Sequence, residues 1–178
     1  MHRLRRSSAG FTLVEILVVV VIIGVVSAGI ILSTNLAGGR DYELQKEGDR
    51  LEALMKYARE QAELQTREYG ILFRDDGYMF VTYDVRRQLW RDVFEDDALH
   101  DRNLPGGLTI KLSVDARAVV LTRPKDAKDR TPQVILFSNG DLTTFEITLE
   151  RDDGARSISI AQDTTGDVVS KPMVETKS

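Results

Sequence analysis

Glu15 is the only ionisable residue between Phe11 and Leu32, in a stretch otherwise dominated by valine, isoleucine and leucine. A carboxylate inside an apolar span costs about 2.5–3.5 kcal/mol at the helix centre and less near an interface, so such a residue usually has a task. The next cation along the chain is Arg40. Cleavage between Gly10 and Phe11 would create an α-amine at Phe11, four residues before Glu15. In a staggered bundle, that amine on one subunit can pair with Glu15 of its neighbour and set the register of assembly, because buried charges are tolerated where opposite charges meet them. Two plainer readings stand beside this one. Glu15 can sit in the lipid headgroup layer, where a helix N-terminus favours an anion. Alternatively, Ser27-Ala28-Gly29 imitates the small-x-small site of a conventional signal peptide, although such a peptide would not normally begin its apolar region with an acid.

Few other residues could do chemistry. Cysteine is absent, which removes disulfides, thiol nucleophiles and cysteine-ligated metals, and the two histidines, His2 and His100, offer little to a metal site or a triad. Asp75-Asp76, Asp96-Asp97 and Asp152-Asp153 have the composition for acid–base or metal chemistry. Each falls in a predicted turn, however, where aspartate bonds to its own backbone, and we read all three as turn formers. His100, near Asp97 and Asp101, reads as a solvated loop residue. No nucleophile elbow, phosphate loop or metal-spaced histidine pair occurs. Trp90 with Arg86, Arg87 and Arg91 is the one candidate for nucleic-acid contact, and Trp90 is better read as a core residue. No catalytic residue, cofactor, metal or small-molecule substrate is expected.

The charge distribution supports this. The formal net charge is -4; setting aside Arg3, Arg5 and Arg6 ahead of the apolar run leaves 21 basic against 28 acidic residues, a balance of -7. An acidic body is poorly suited to wrapping nucleic acid. The three arginines predict a cytoplasmic N-terminus, with everything after Leu32 on the far side of the membrane. The 22 residues from Phe11 to Leu32 would span roughly 33 Å as a helix, enough to cross a bilayer core.

The elements that follow are legible in their periods. Gly38-Gly39 predicts a bend or frayed helix. Leu44, Gly48, Leu51, Met55, Ala58 and Ala62 then fall on one helical stripe, with charged residues such as Glu43, Lys46, Glu47 and Asp49 elsewhere. After Tyr69 the period becomes that of strands. "YGILFRDDGYMFVTYD" predicts a hairpin about Asp75-Asp76-Gly77, and "QLWRDVF", "GLTIKLSV", "AVVLT", "QVILFS", "TTFEITLE" and "RSISIAQ" predict further strands. One helix followed by seven or eight short strands is an α+β layout in which the stripe covers an antiparallel sheet. "DDALHDRNLPG" and "TRPKDAKDRTPQ" read as loops, and "SKPMVETKS" as a loosely held tail.

"AGFTLVEILVVVVIIGVVSAGI" resembles the leader junction and N-terminal helix of type IV pilins and type II secretion pseudopilins. "TREYGILF", "VILFSNGDLTTFEITLE" and "SISIAQDTTGDVV" are similar to the body of the minor pseudopilin H (GspH) family, related to the FimT/FimU minor pilins. The resemblance implies a type IV pilin-like fold with residues 1–10 as leader, 11–32 as transmembrane and assembly helix, 33–68 as its amphipathic second half, 69–170 as a periplasmic β-rich domain, and 171–178 as the tail. It implies cutting between Gly10 and Phe11 by a prepilin peptidase, N-methylation of Phe11, and an assembly role for Glu15. It also implies a structural, non-enzymatic subunit at the inner membrane, partnered by the major pseudopilin and the I, J and K minor types in an export pseudopilus. The alternative is a type IV minor pilin in pilus priming or DNA uptake.

Overall fold

The computed structural model describes residues 13–122 and 130–175, with the side chains of residues 24–38 and 40 outside the description. The chain divides into two compact units, Met1–Arg40 and Asp41–Ser178.

A single helix, α1, runs from Leu13 to Gln65. It runs on as helix through Gly38-Gly39 without the fraying that the glycines allow: glycine costs about 1 kcal/mol relative to alanine in a helix, but it retains its N–H and leaves the ladder intact. The helix ends where Thr66 takes a positive φ of 49°. The Thr66 N–H then bonds the Glu63 carbonyl at 3.3 Å and the Arg67 N–H the Ala62 carbonyl at 3.1 Å, which satisfies the last-turn carbonyls in a Schellman arrangement. The predicted stripe is the buried face: Leu44, Leu51, Met55, Ala58 and Ala62 are fully buried. Complete burial of a side chain such as Leu51 or Met55 contributes about 1.5–3 kcal/mol. Glu47 departs from its expected solvated position. It is only 5% exposed, because an apolar stripe at steps of three and four is broad enough to draw in its neighbour, and it pairs with Arg50 at 2.6 Å.

Eleven strands follow among the described residues: β1 (Tyr69–Arg74), β2 (Gly77–Asp84), β3 (Leu89–Asp92), β4 (Arg102–Asn103), β5 (Leu108–Val114), β6 (Arg117–Val119), β7 (Val134–Leu136), β8 (Phe145–Arg151), β9 (Arg156–Gln162), β10 (Val168–Ser170) and β11 (Val174–Glu175). They form two antiparallel sheets. The first has the order β3-β2-β1-β7, with β4 also on β2; the second has the order β10-β9-β8-β5-β6, with β11 also on β9. The sequence reading is short by β4, β10 and β11, which at two or three residues are too brief to show a period. The tail is correspondingly less loose than expected. Val174 and Glu175 pair with Ser157 and Arg156, and Met173 packs on the core.

Register follows the burial pattern. In the second sheet Ile110, Leu149 and Ile158 form one cross-strand row, and Leu112, Ile147 and Ile160 another. Both rows are buried with the α1 stripe. The intervening row, Lys111, Thr148 and Ser159, points the other way, so a one-residue slip would exchange core for solvent face. Gly48 marks where α1 meets this sheet: a Cβ there would lie 3.2 Å from Ile158 Cγ2. In the first sheet Tyr69, Ile71, Phe73, Tyr78 and Phe80 face the same core. Its opposite face carries Gly70, where a Cβ would meet Pro132 at 2.4 Å and Trp90 at 3.2 Å. Trp90 is therefore not the core residue the sequence predicts. It is half-buried on the outer face, tilted against Tyr83 with centroids 5.3 Å apart.

Candidate functional site

The three aspartate pairs lie in turns or loops, as the sequence predicts. Asp75 and Asp76 form the turn between β1 and β2, where Arg74 pairs with Gly77 across the ladder. Their carbonyls accept the Ile110 and Leu104 N–H groups. Asp96 caps a single 3-10 turn at Asp97–Leu99 by accepting the Ala98 N–H at 2.8 Å, and it also accepts the Tyr57 hydroxyl at 2.7 Å, tying this loop to α1. Asp153 accepts the Ala155 N–H at 3.0 Å and pairs with Arg151. His100 Nδ1 contacts the Asp97 carbonyl in an exposed loop. Asp163 takes the Thr165 hydroxyl and the N–H groups of Thr165 and Asp167; that hydroxyl first, then the amides, hold its carboxyl below the usual range. Asp167 is turned toward Arg59, 3.3 Å away. Carboxylates so engaged are fastening loops, and no cluster of three or more metal-ligating side chains occurs among the described residues.

Sequence reasoning missed the buried polar groups. Arg74, 5% exposed, binds Asp101 Oδ1 at 2.8 Å, Asn103 Oδ1 at 2.9 Å and Asp76 Oδ1 at 3.3 Å, which secures the segment 96–103 to the first sheet. The available signal was an arginine closing the otherwise apolar alternation "YGILFR". Glu47 and Tyr78 carried no such signal.

The remaining candidate is the start of α1. Leu13 to Ile23 is helical, and its apolar side chains are all exposed, from 44% at Val19 to 83% at Leu13. Eleven residues make about three turns, so apolar side chains point in every direction around the axis. Glu15 lies in the first turn. A rod with no polar face has to be covered by lipid or by other apolar helices. Among the described residues no helix is long and apolar enough to cross a membrane. The expected span from Phe11 to Leu32 extends at both ends outside the residues whose side chains are described, and the expected cleavage and methylation positions, Gly10 and Phe11, also lie outside the described residues.

Comparison with known proteins connects this helix to its body. The profile described as "Prokaryotic N-terminal methylation motif" matches residues 5–31, and that described as "Type II transport protein GspH" matches residues 47–166. The chain is 34% identical over 164 residues to type II secretion system protein H of Pseudomonas aeruginosa, covering 89% of this chain and 92% of the relative. It is 30% identical over 155 residues to the protein of the same name from Aeromonas hydrophila, covering 84% of each. Among solved structures, the minor pseudopilin EpsH of the Vibrio cholerae type II secretion system matches with a TM-score of 0.61 at 14% identity, over 72% of this chain and 95% of that one. Escherichia coli GspH matches with a TM-score of 0.51 at 21% identity, over 80% and 92%. The two structures share the pilin-like arrangement of an N-terminal helix on antiparallel sheets. By profile and by relatives over nearly its whole length, the chain belongs to the GspH family of type II secretion pseudopilins.

Proposed function

We propose that the chain is held in the inner membrane by residues 11–32, N-terminus inside, and enters a periplasmic pseudopilus as a minor subunit near its tip. The observation that carries this reading is the helical, apolar segment Leu13–Ile23, exposed on all sides and joined to a body of the GspH family. A prepilin peptidase cuts between Gly10 and Phe11; glycine is needed before the cut because a side chain there would crowd the scissile bond. The Phe11 amine is then methylated and stays cationic. Inside the fibre it pairs with Glu15 of a neighbouring subunit while apolar contacts between helices supply the cohesion. The neighbours are the I, J and K minor pseudopilins and the major pseudopilin, and the assembled fibre supports export of folded proteins across the outer membrane. The subunit works by shape and association, with no catalytic step and no nucleic-acid ligand.

Expression of Gly10→Val and Glu15→Val in cells carrying the remaining secretion components tests this. Gly10→Val should accumulate as a longer, uncut precursor; mobility identical to the wild type would refute the processing step. Glu15→Val should be cut and folded but crosslink poorly to sibling subunits. Undiminished crosslinking would remove Glu15 from the assembly mechanism.

A further inference from the structure

The C-terminal end of α1 and the turn between β2 and β3 enclose a groove of about 400 Å³ lined by Gln65, Thr66, Arg67, Tyr83, Asp84, Val85, Arg86 and Arg91. Three guanidinium groups border it, in a chain whose net charge is -4. Against these three cations stand two carboxylates, Asp84 on the wall and Glu95 beside Arg67 and Arg91, which leaves an excess of positive charge. Asp84 accepts the backbone N–H groups of Arg86 and Arg87 at 3.0 and 3.1 Å, and these amides, that of Arg87 first, hold its carboxyl below the usual range. Asp84 therefore remains an anion at the groove wall, with one carboxylate oxygen engaged in building the turn. Glu95 is shared by Arg91 at 3.2 Å and Arg67 at 3.7 Å. Arg86 and Arg87 are exposed and form no ion pair among the described residues. The rim is also apolar: Val85 is 69% exposed and Leu89 43%.

We infer that this groove binds an acidic peptide segment of a partner protein, a carboxylate seated between Arg67 and Arg86 and an adjacent apolar side chain resting on Val85. Charge complementarity and volume favour this occupant. Roughly 400 Å³ admits one or two side chains, and arginine forks match carboxylates in geometry as well as charge. A nucleic acid would need an aromatic platform and a continuous basic track. Here the Trp90 ring is tilted against Tyr83 and overlies Gly70 on the sheet.

Trp90 is the sole tryptophan of the chain, and its contact with Tyr83 on the groove wall makes it a built-in reporter. Full-length protein in detergent should be titrated with the aromatic-free peptide acetyl-Leu-Glu-Glu-Leu-Glu-Leu-amide, Trp90 emission being recorded. The expected result is a saturable change that weakens by about tenfold in Arg86→Gln, the loss of one charge-assisted contact. The peptide with glutamine in place of glutamate should produce no change, and an eight-residue oligothymidylate should not compete. Arg86 is exposed and makes no ion pair among the described residues, so its variant should melt with the wild type and report on binding alone. Equal response to the glutamine peptide, full displacement by oligothymidylate, unaltered affinity in Arg86→Gln, or no saturable change at all would each overturn the inference.

Discussion

Gly77→Ala tests how the body is held together. Gly77 opens β2 where β4 crosses it, and an added Cβ would lie 2.2 Å from the Arg102 carbonyl oxygen, 2.9 Å from Arg74 Nη2 and 3.1 Å from Asn103 Cα. The nearest of these is backbone, so relief requires β4 to leave β2. Separation sacrifices the pairings Gly77↔Asn103 and Tyr78↔Arg102 and the 2.8 Å bond from the Leu104 N–H to the Asp76 carbonyl. It also draws Asn103 Oδ1 and the Arg102 carbonyl away from Arg74, whose side chain is 6% exposed. At about 1 kcal/mol for the neutral Leu104 bond and about 1.5 kcal/mol, the low end of the range, for each of the two bonds to the charged Arg74, the loss is about 4 kcal/mol. The gain from replacing glycine in a strand returns about 0.5–1 kcal/mol. A net loss of about 3 kcal/mol, at about 2–4 °C per kcal/mol for a domain of this size, lowers Tm by about 6–12 °C. Calorimetry of the full chain in detergent measures this, with Gly106→Ala as the control because its Cβ would meet nothing within 4 Å. If Gly77→Ala melted within about 2 °C of the wild type, the argument that β4 and the Arg74 contacts secure segment 96–103 would be wrong.

Two further outcomes come from backbone and burial. Asp115 and Ala116 close the hairpin between β5 and β6 with φ of 49° and 61°, a conformation in which glycine is favoured, so Ala116→Gly should raise the urea midpoint, by about 0.5–1 kcal/mol of stability; a lowered midpoint contradicts it. The Tyr78 hydroxyl is buried with no hydrogen-bond partner among the described residues, and burial first, then the Glu47 charge, push it up to about 12. Because the folded value is raised, its contribution is intact below the unfolded tyrosine value near 10 and is lost as pH rises through about 12. Tyr78→Phe should be neutral or stabilising by about 1 kcal/mol near pH 7 and should lose less stability than the wild type on going to about pH 11, as read from urea midpoints. An equal alkaline decline would remove Tyr78 from that role.

The elements that were legible in the sequence are those whose signal is local. The stripe from Leu44 to Ala62 and the alternation in "TIKLSV" or "FEITLE" declare their buried faces because a helix and a strand each repeat on a fixed period. The turn at Asp75-Asp76 is likewise written in residue type. Family resemblance was readable for the same reason: the apolar run behind a glycine, with one acid near its start, and body segments such as "VILFSNGDLTTFEITLE" are patterns of neighbours along the chain.

Tertiary structure alone decided what depends on residues far apart in sequence. Division into two sheets rests on which strand edges meet, and β4, β10 and β11 are strands only because longer partners receive them. Arg74 is buried because Asp101 and Asn103 come back to it from the next loop. Trp90 lies outside the core because Gly70 leaves room for it on the opposite face. The groove at Arg67 and Arg86 exists because a helix end and a hairpin turn are brought side by side. A side chain's surroundings are set by chain closure over tens of residues, and composition within a short window carries no record of them.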